Sequence, residues 1–240
     1  MSLNFNKTIN VFTDASTTQV DRRIVSSPGY AIVYNNKIIC STNNVFYNTT
    51  SNYGELYAII MALESLIQIK WGFDKAGLEM PLINIFSDSE ISVLGLRKYI
   101  FNWWGSESTQ QFYSEPQIYS DQGVLNKELF VNAIRMITDN NLKVNLYHVS
   151  AHIEATKKYH ITRMIKKFEE NNYIQIDKDD AYYLCYYNAF VDDMTRSNLR
   201  KLVNNKEVFD KFKYKRLKTS MMGFLTSQII CKYATLINKG

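Results

Sequence analysis

The sequence predicts an α/β domain: a three-stranded antiparallel meander, then helices alternating with two more strands. Three observations lead there. Residues 8–13, 29–34 and 37–46 read as consecutive strands with short connections. Residues 53–70 carry apolar side chains at 56, 59/60, 63 and 66/67, a helical period. Short apolar runs at 82–86 and 142–149 each follow a helical stretch.

The first strand is Ile9-Asn10-Val11-Phe12-Thr13, a near-continuous apolar run of the kind a buried strand shows. It ends on Asp14, an acid with no packing reason to be there. Beside Ala15 and Ser16, its carboxylate can point at a metal or a substrate; a turn or a helix cap is the plainer account. Gly29 to Tyr34 is the second strand, Asn35-Asn36 a tight-turn pair, and Lys37 to Phe46 the third. Thr49-Thr50-Ser51-Asn52 is turn and cap chemistry. The helix over 53–70 then holds Glu55 in its first turn, where negative charge is favoured.

Gly77 and Pro81 break the helical pattern. Leu82 to Phe86 is the fourth strand. It ends in Ser87-Asp88-Ser89, and a helix with Ile91, Leu94, Tyr99 and Trp103 follows. Asp88 thus sits where an N-cap would. Residues 104–123 are polar and read as a loop or lid. Helical spacing returns over 124–140, and Leu142 to Val149 is the fifth strand, running into Ser150-Ala151-His152. Residues 153–187 hold a basic helical segment, an acidic turn around Asp177, Asp179 and Asp180, and a Tyr-rich run. Residues 188–202 read as a helix with Asp192 near its start.

The chain has 240 residues, 46% hydrophobic and 21% charged, enough for one sizeable core. No run approaches the roughly 18 apolar residues of a membrane span, and no targeting signal opens the chain. Cys40, Cys185 and Cys231 are few and widely spaced, which points to a reducing, cytoplasmic setting without structural zinc. The net charge of +5 is uneven. Residues 201–240 hold nine Lys/Arg against Glu207 and Asp210, a net +7, which leaves −2 on residues 1–200. The first part suits a cation; the tail suits a polyanion or is a solvated helix face.

Read in order, the motifs are Phe-Thr-Asp-Ala-Ser (12–16), Thr-Ser-Asn-Tyr-Gly-Glu-Leu-Tyr-Ala-Ile (50–59) and Phe-Ser-Asp-Ser (86–89). Val-Leu-Asn-Lys-Glu-Leu (124–129), His-Val-Ser-Ala-His (148–152) and Asn-Ala-Phe-Val-Asp (188–192) follow. This series resembles ribonuclease H of type 1. The resemblance covers 8–152 and 188–202. It implies the ribonuclease H-like fold: a five-stranded mixed sheet, three strands antiparallel and then two parallel, with helices on both faces. It implies a catalytic domain over 1–204 with a helical insertion at 153–187, and it leaves 205–240 as a basic, helical extension.

The resemblance also implies that Asp14, Glu55, Asp88 and Asp192 converge. Carboxylates that close repel one another unless divalent cations supply counter-charge. All-oxygen ligation favours Mg²⁺ or Mn²⁺ over zinc. Two such ions about 4 Å apart activate a water and stabilise the leaving oxygen of a phosphoryl displacement. By the family pattern Asp14 bridges both ions, Asp88 and Asp192 hold the nucleophile-side ion, and Glu55 holds the other. Asp193 rivals Asp192, but the family's spacing from Asn188 selects Asp192. His152 would help protonate or release product. Asn52 and Asn188 would meet the minor-groove side of an RNA–DNA hybrid, and Thr50 and Asn126 a phosphate. The implied activity is endonucleolytic cleavage of the RNA strand of such hybrids. The alternatives are a resolvase-like DNA nuclease of the same fold and a catalytically silent hybrid-binding module. Oligomeric state is not legible.

The chain departs from the family at Ala15 (usually Gly), at Glu90 (often a neutral amide), at Gly54 (usually larger) and after Trp104, where the basic cluster of several bacterial members is missing. The insertion and the basic tail are expected to take over phosphate contacts there. Deleting 205–240 should raise KM and flatten the salt dependence of hybrid binding while leaving kcat nearly unchanged. Unchanged hybrid affinity in a titration against salt removes that idea.

Overall fold

The protein is described from a computed structural model, over residues 3–20, 23–47, 49–99, 126–151 and 157–204. Its strands are β1 (Ile9–Val20), β2 (Arg23–Tyr34), β3 (Lys37–Asn43), β4 (Phe46–Tyr47), β5 (Ile83–Ser87) and β6 (Val144–His148). Its helices are α1 (Ser51–Lys75), α2 (Glu90–Leu94), α3 (Lys127–Asp139), α4 (Lys158–Asn172) and α5 (Lys178–Asn204); a π-helical turn over Gly95–Tyr99 extends α2. Five strands lie in the order β3-β2-β1-β5-β6, and β4 pairs β2 beside them. β1, β2 and β3 are antiparallel neighbours, whereas β5 runs parallel to β1 and β6 parallel to β5. This is the mixed sheet the sequence predicts. The Asn35-Asn36 turn has both φ angles positive, 49° and 57°, as a two-residue hairpin of this twist requires.

The apolar run of β1 is continuous because both sheet faces are covered. Ile9 and Val11 point to one face with Ile83 and Ile85, under α1 and α3. Phe12, Phe86 and Tyr147 point to the other, under α4 and α5. There, Phe12 and Phe86 stack with ring centres 5.0 Å apart.

On that second face the strand register is pinned by a ladder of side-chain amides. Asn10, Asn84 and Asn145 are paired residues on β1, β5 and β6. The Asn84 amide donates to Asn10 Oδ1 at 3.3 Å, and the Asn145 amide to Asn84 Oδ1 at 3.3 Å. Asn10 in turn donates to the Phe5 carbonyl at 2.8 Å. A one-residue slip would send these side chains to the other face and leave buried polar atoms unpaired.

Three differences from the sequence reading bear on the site. β1 and β2 extend beyond their apolar cores as a two-stranded arm, with Ala15 opposite Pro28 and Val20 opposite Arg23. Its β1 half is Ser, Thr and Gln before Val20, so hydrophobicity gives no signal there, although exposure alternates along 16–20; on β2, Val25 is buried with Leu199 and Leu202. α1 starts two residues earlier than expected and runs five further. It is apolar enough over an 18-residue window, mean hydropathy 1.3, to match a membrane span by length and composition, contrary to the sequence reading. Leu56, Ile59, Ile60, Leu63 and Leu66 are buried in the core, which accounts for that composition.

The insertion is the third difference. Its described part is α4 and the start of α5, and it is core. Ile161, Met164 and Phe168 are buried against Phe12, Phe86 and Tyr147. α5 begins at Lys178, ten residues before Asn188, with the Asp177 carboxylate accepting the Asp180 N–H at 2.9 Å. Asp192 is therefore well inside a helix. The helical spacing of Ala181, Leu184, Cys185, Asn188 and Val191 explains the length. The helix expected in the tail, Trp103 and the 104–123 loop lie outside the described residues.

Two glycines permit close approach. A Cβ on Gly54 would collide with Ser26 Oγ and lie 3.1 Å from Ala15 Cβ, so glycine lets α1 press onto the strands beside Asp14. A Cβ on Gly29, which pairs with Asp14, would lie 2.7 Å from Thr195 Cγ2 on α5. Alanine favours an exposed helix by about 1 kcal/mol over glycine. Gly54→Ala should nevertheless destabilise by about 1–3 kcal/mol, because overpacking dominates. A thermal melt checks this, and a raised midpoint refutes it.

Candidate active site

The parallel pairing of β1 with β5 ends at Thr13 opposite Ser87. The residue that follows each of these is an aspartate. β1 continues along β2, β5 turns into α2, and Asp14 and Asp88 are left side by side at the mouth of the sheet, where open α/β sheets bind ligands. Asp88 is not the helix cap its position permits. Ser89 takes that role, accepting the Ser92 N–H at 3.3 Å. The Asp88 carboxylate is thereby free.

α1 delivers the third acid. Glu55 lies beyond the first turn, and Gly54 brings its backbone down onto β1. Ligand oxygens of Asp14, Glu55 and Asp88 lie within 4.8 Å of one another. Glu55 Oε2 is enclosed and has no hydrogen-bond partner among the described residues. Asp192 lines the same groove from α5. Its two carboxylate oxygens receive Arg196 Nη2 at 2.7 and 2.6 Å.

Residues on the same face of α5 were not singled out from sequence. Thr195 donates its hydroxyl proton to Asp14 Oδ2 at 2.8 Å, and Ser16 Oγ lies 3.0 Å from Thr195 Oγ1. Arg196 and Arg200 line the groove with Ser16 and Ser51. Their signal was available: 195 and 196 fall three and four residues after Asp192, the spacing of one helix face.

Burial is the main cause of the site's unusual acidities, and mutual repulsion adds to it. Glu55 is pushed well above the ordinary carboxylate range by burial, then by Asp14 and Asp88. Asp88 is pushed up to about 7 by burial, then by Asp14 and Asp192. Asp14 is raised by burial and by Asp192, while the Thr195 hydroxyl and the Ala15 amide oppose the rise. Oxygen-only donors, one of them orphaned, in a cluster that repels itself fit a hard divalent cation.

The expected substrate residues are placed unevenly. Thr50 is the N-cap of α1, its hydroxyl accepting the Tyr53 N–H at 3.1 Å. Asn52 is exposed, three residues before Glu55. Asn126 takes a left-handed conformation, φ 61°, at the start of α3, and its side chain makes no capping bond. Asn188 is buried, 3% exposed, with Oδ1 unpartnered among the described residues. The face of α5 that carries it is packed on the sheet. His152 lies outside the described residues.

The RNase H family model matches residues 6–160, about two thirds of the chain. The chain belongs to the RNase H family. It is accordingly an enzyme of the ribonuclease H class, in a family that generally uses divalent metal ions. Among solved structures it is similar to LC11-RNase H1, isolated from compost by a metagenomic approach, at 18% identity over 67% of this chain and 97% of that one, with a TM-score of 0.45. It is also similar to RNase H1 of the halophilic archaeon Halobacterium salinarum, at 17% identity over 60% and 86%, TM-score 0.37. The RNase H domain of prototype foamy virus aligns at 11% identity over 68% and 90%, TM-score 0.45. LC11-RNase H1 is also known in complex with an RNA/DNA hybrid. No curated protein sequence matches the chain. The family match contains Asp14, Glu55 and Asp88, and stops before Asp192.

The raised acidities set a pH dependence. Between the ordinary Asp value of 3.8 and about 7, folded Asp88 keeps a proton that the unfolded chain releases. The metal-free protein should therefore lose stability as pH rises through that window. Mn²⁺ should reverse the trend by binding the deprotonated cluster. Melts at pH values on either side of the window, with and without Mn²⁺, measure this, and Asp88→Asn should flatten the metal-free dependence. A slope identical in Asp88→Asn would show that the cluster does not cause it.

Proposed function

We propose that this RNase H cleaves the RNA strand of RNA–DNA hybrids endonucleolytically, with Asp14, Glu55 and Asp88 holding divalent ions, Mg²⁺ or Mn²⁺, and Asp192 completing the set. The observation that carries this reading is the meeting of three carboxylates within 4.8 Å around the orphaned Glu55 Oε2. Two such ions, when bound, supply an activated water and a stabilised leaving oxygen for in-line displacement at phosphorus.

The chain's own residues position and recognise. Asp14 is oriented by Thr195, and that bond is itself fixed by Ser16. Asp14 is held by strand register, Asp88 follows directly on the last paired residue of β5, and Glu55 is held by a long helix. Arg196 and Arg200, one turn apart on α5, put two guanidinium groups beside the acids, suited to phosphates of the bound strand. Asn52, exposed one turn before Glu55, is the neutral amide best placed to read the groove that displays 2′-hydroxyls. Thr50 and Asn126 would add phosphate contacts, and His152 would assist product release.

Hydrolysis assays on an RNA–DNA hybrid, duplex DNA and duplex RNA test the substrate. Only the hybrid should be cut, and only in its RNA strand. Asp14→Asn should abolish cleavage while retaining hybrid binding. Cleavage of duplex DNA in place of hybrid would overturn the substrate assignment, and an active Asp14→Asn would overturn the site.

A further inference from the structure

His148 ends β6, the edge strand next to β5, and the C-terminal end of α4 closes around it. Asn172, 5% exposed, treats the His148 backbone as a neighbouring strand would. Its side-chain amide donates to the His148 carbonyl at 2.8 Å, and its Oδ1 accepts the His148 N–H at 3.0 Å. Arg97 Nη1 donates to the same Oδ1 at 3.1 Å. The edge of the sheet is thus finished by a side chain from the insertion.

The imidazole is held just as firmly. His148 Nε2 lies 3.1 Å from the Asp88 carbonyl oxygen. A carbonyl only accepts, so Nε2 carries the proton and donates it. Nδ1 is then an acceptor, and the Asn171 side-chain amide donates to it at 2.8 Å. The two bonds select one neutral tautomer and one ring orientation. Their outcome is a fixed donor aimed at the main chain of a metal-site aspartate. Asn171 and Asn172 lie beyond the residues that the family model matches, 6–160.

We infer that the insertion is a positioning element for the metal centre, in which Asn171 and Asn172 clamp His148 and His148 holds the Asp88 main chain in place. The inference rests on the metal-centre reading of the acid cluster. It gives the insertion a task at the site although its helix lies behind the sheet edge. His148 is a positioning residue, since it touches the backbone of Asp88 and not the reacting atoms. Partners that orient ligands in this way are typically worth about 10–100-fold in metal affinity.

Calorimetric titration of the full-length protein with Mn²⁺, without nucleic acid, tests it. His148→Phe keeps a ring and loses both hydrogen bonds; it should weaken Mn²⁺ binding about tenfold. It should also raise the Mn²⁺ needed for half-maximal cleavage without altering KM for hybrid. His148→Gln restores an N–H donor near the Nε2 position and should recover most of the loss. Asn171→Leu, at a half-buried position, should weaken binding severalfold, and it decides alone if His148→Phe does not fold. Mn²⁺ affinities within about twofold of the parent in folded Asn171→Leu and His148→Phe overturn the positioning role. A parent protein that binds no Mn²⁺ fails earlier: it overturns the metal-centre reading, and this inference with it.

Discussion

Carboxylates that repel one another must be held together by something stronger than their own preference. Here Asp14, Glu55 and Asp88 converge within 4.8 Å in a partly desolvated site, where burial and like charge both disfavour ionisation. Surface loops would relax apart under that load. The molecule instead places Asp14 and Glu55 on regular elements, and Asp88 directly after the end of one, with the position of each element set elsewhere. The parallel register of β1 and β5 brings Asp14 and Asp88 together, and the in-register amides of Asn10, Asn84 and Asn145 secure that register at the other end of the strands. Packing sets the third position, because α1 descends onto β1 only where Gly54 leaves room. The stability of the fold and the chemistry of the site are therefore opposed in one small volume. A bound divalent cation would reconcile them.

The same division between rigid frame and reactive groups explains what could be read from sequence. The acids at Asp14 and Asp88 were visible because each follows a short, nearly continuous apolar run in which a charge is anomalous. Glu55 was visible as part of a motif, yet its reason for being in a helix was misjudged: the helix starts earlier, so the charge is beyond the first turn and faces the cluster. Asp88 looked like a cap until Ser89 was seen to fill that role. The β1 half of the arm is polar and had no hydrophobic signature, and Val25 on its β2 half is buried against Leu199 and Leu202, partners far along the chain. The asparagine ladder could not be read at all, since each residue gains its partner from a strand at least 60 positions away.

The C-terminal helix was misread for a different reason. Its apolar spacing continues without a break from Ala181 to Leu202, so the pattern itself supports a long helix. Motif spacing carried over from the family put the start near Asn188 and assigned what lay before it to an insertion of uncertain packing. The structure makes that boundary artificial. Phe168 and Leu184 occupy one core with Phe12 and Phe86, so the extra residues are part of the covering of the sheet's second face. Burying Asn188 follows directly, because the helix face that bears it is the face turned to the sheet.

Lengthening α5 has an electrostatic consequence for Asp192. An acid near a helix N-terminus is stabilised by the partial positive charge of unpaired amides, but that benefit fades within the first turn. Asp192 lies more than three turns from Lys178 and receives none of it. Compensation comes from a side chain instead: Arg196, one turn on, contacts both carboxylate oxygens. A dipole is permanent, whereas a guanidinium can leave. The cation that balances Asp192 in the metal-free protein is on a flexible stem at the edge of the groove, beside Arg200. A divalent ion and a phosphate entering that groove would compete for the two halves of this ion pair, the one for the carboxylate and the other for the guanidinium. On the proposed function, separating the pair would be coupled to loading the site, and metal and nucleic acid would then favour one another by linkage.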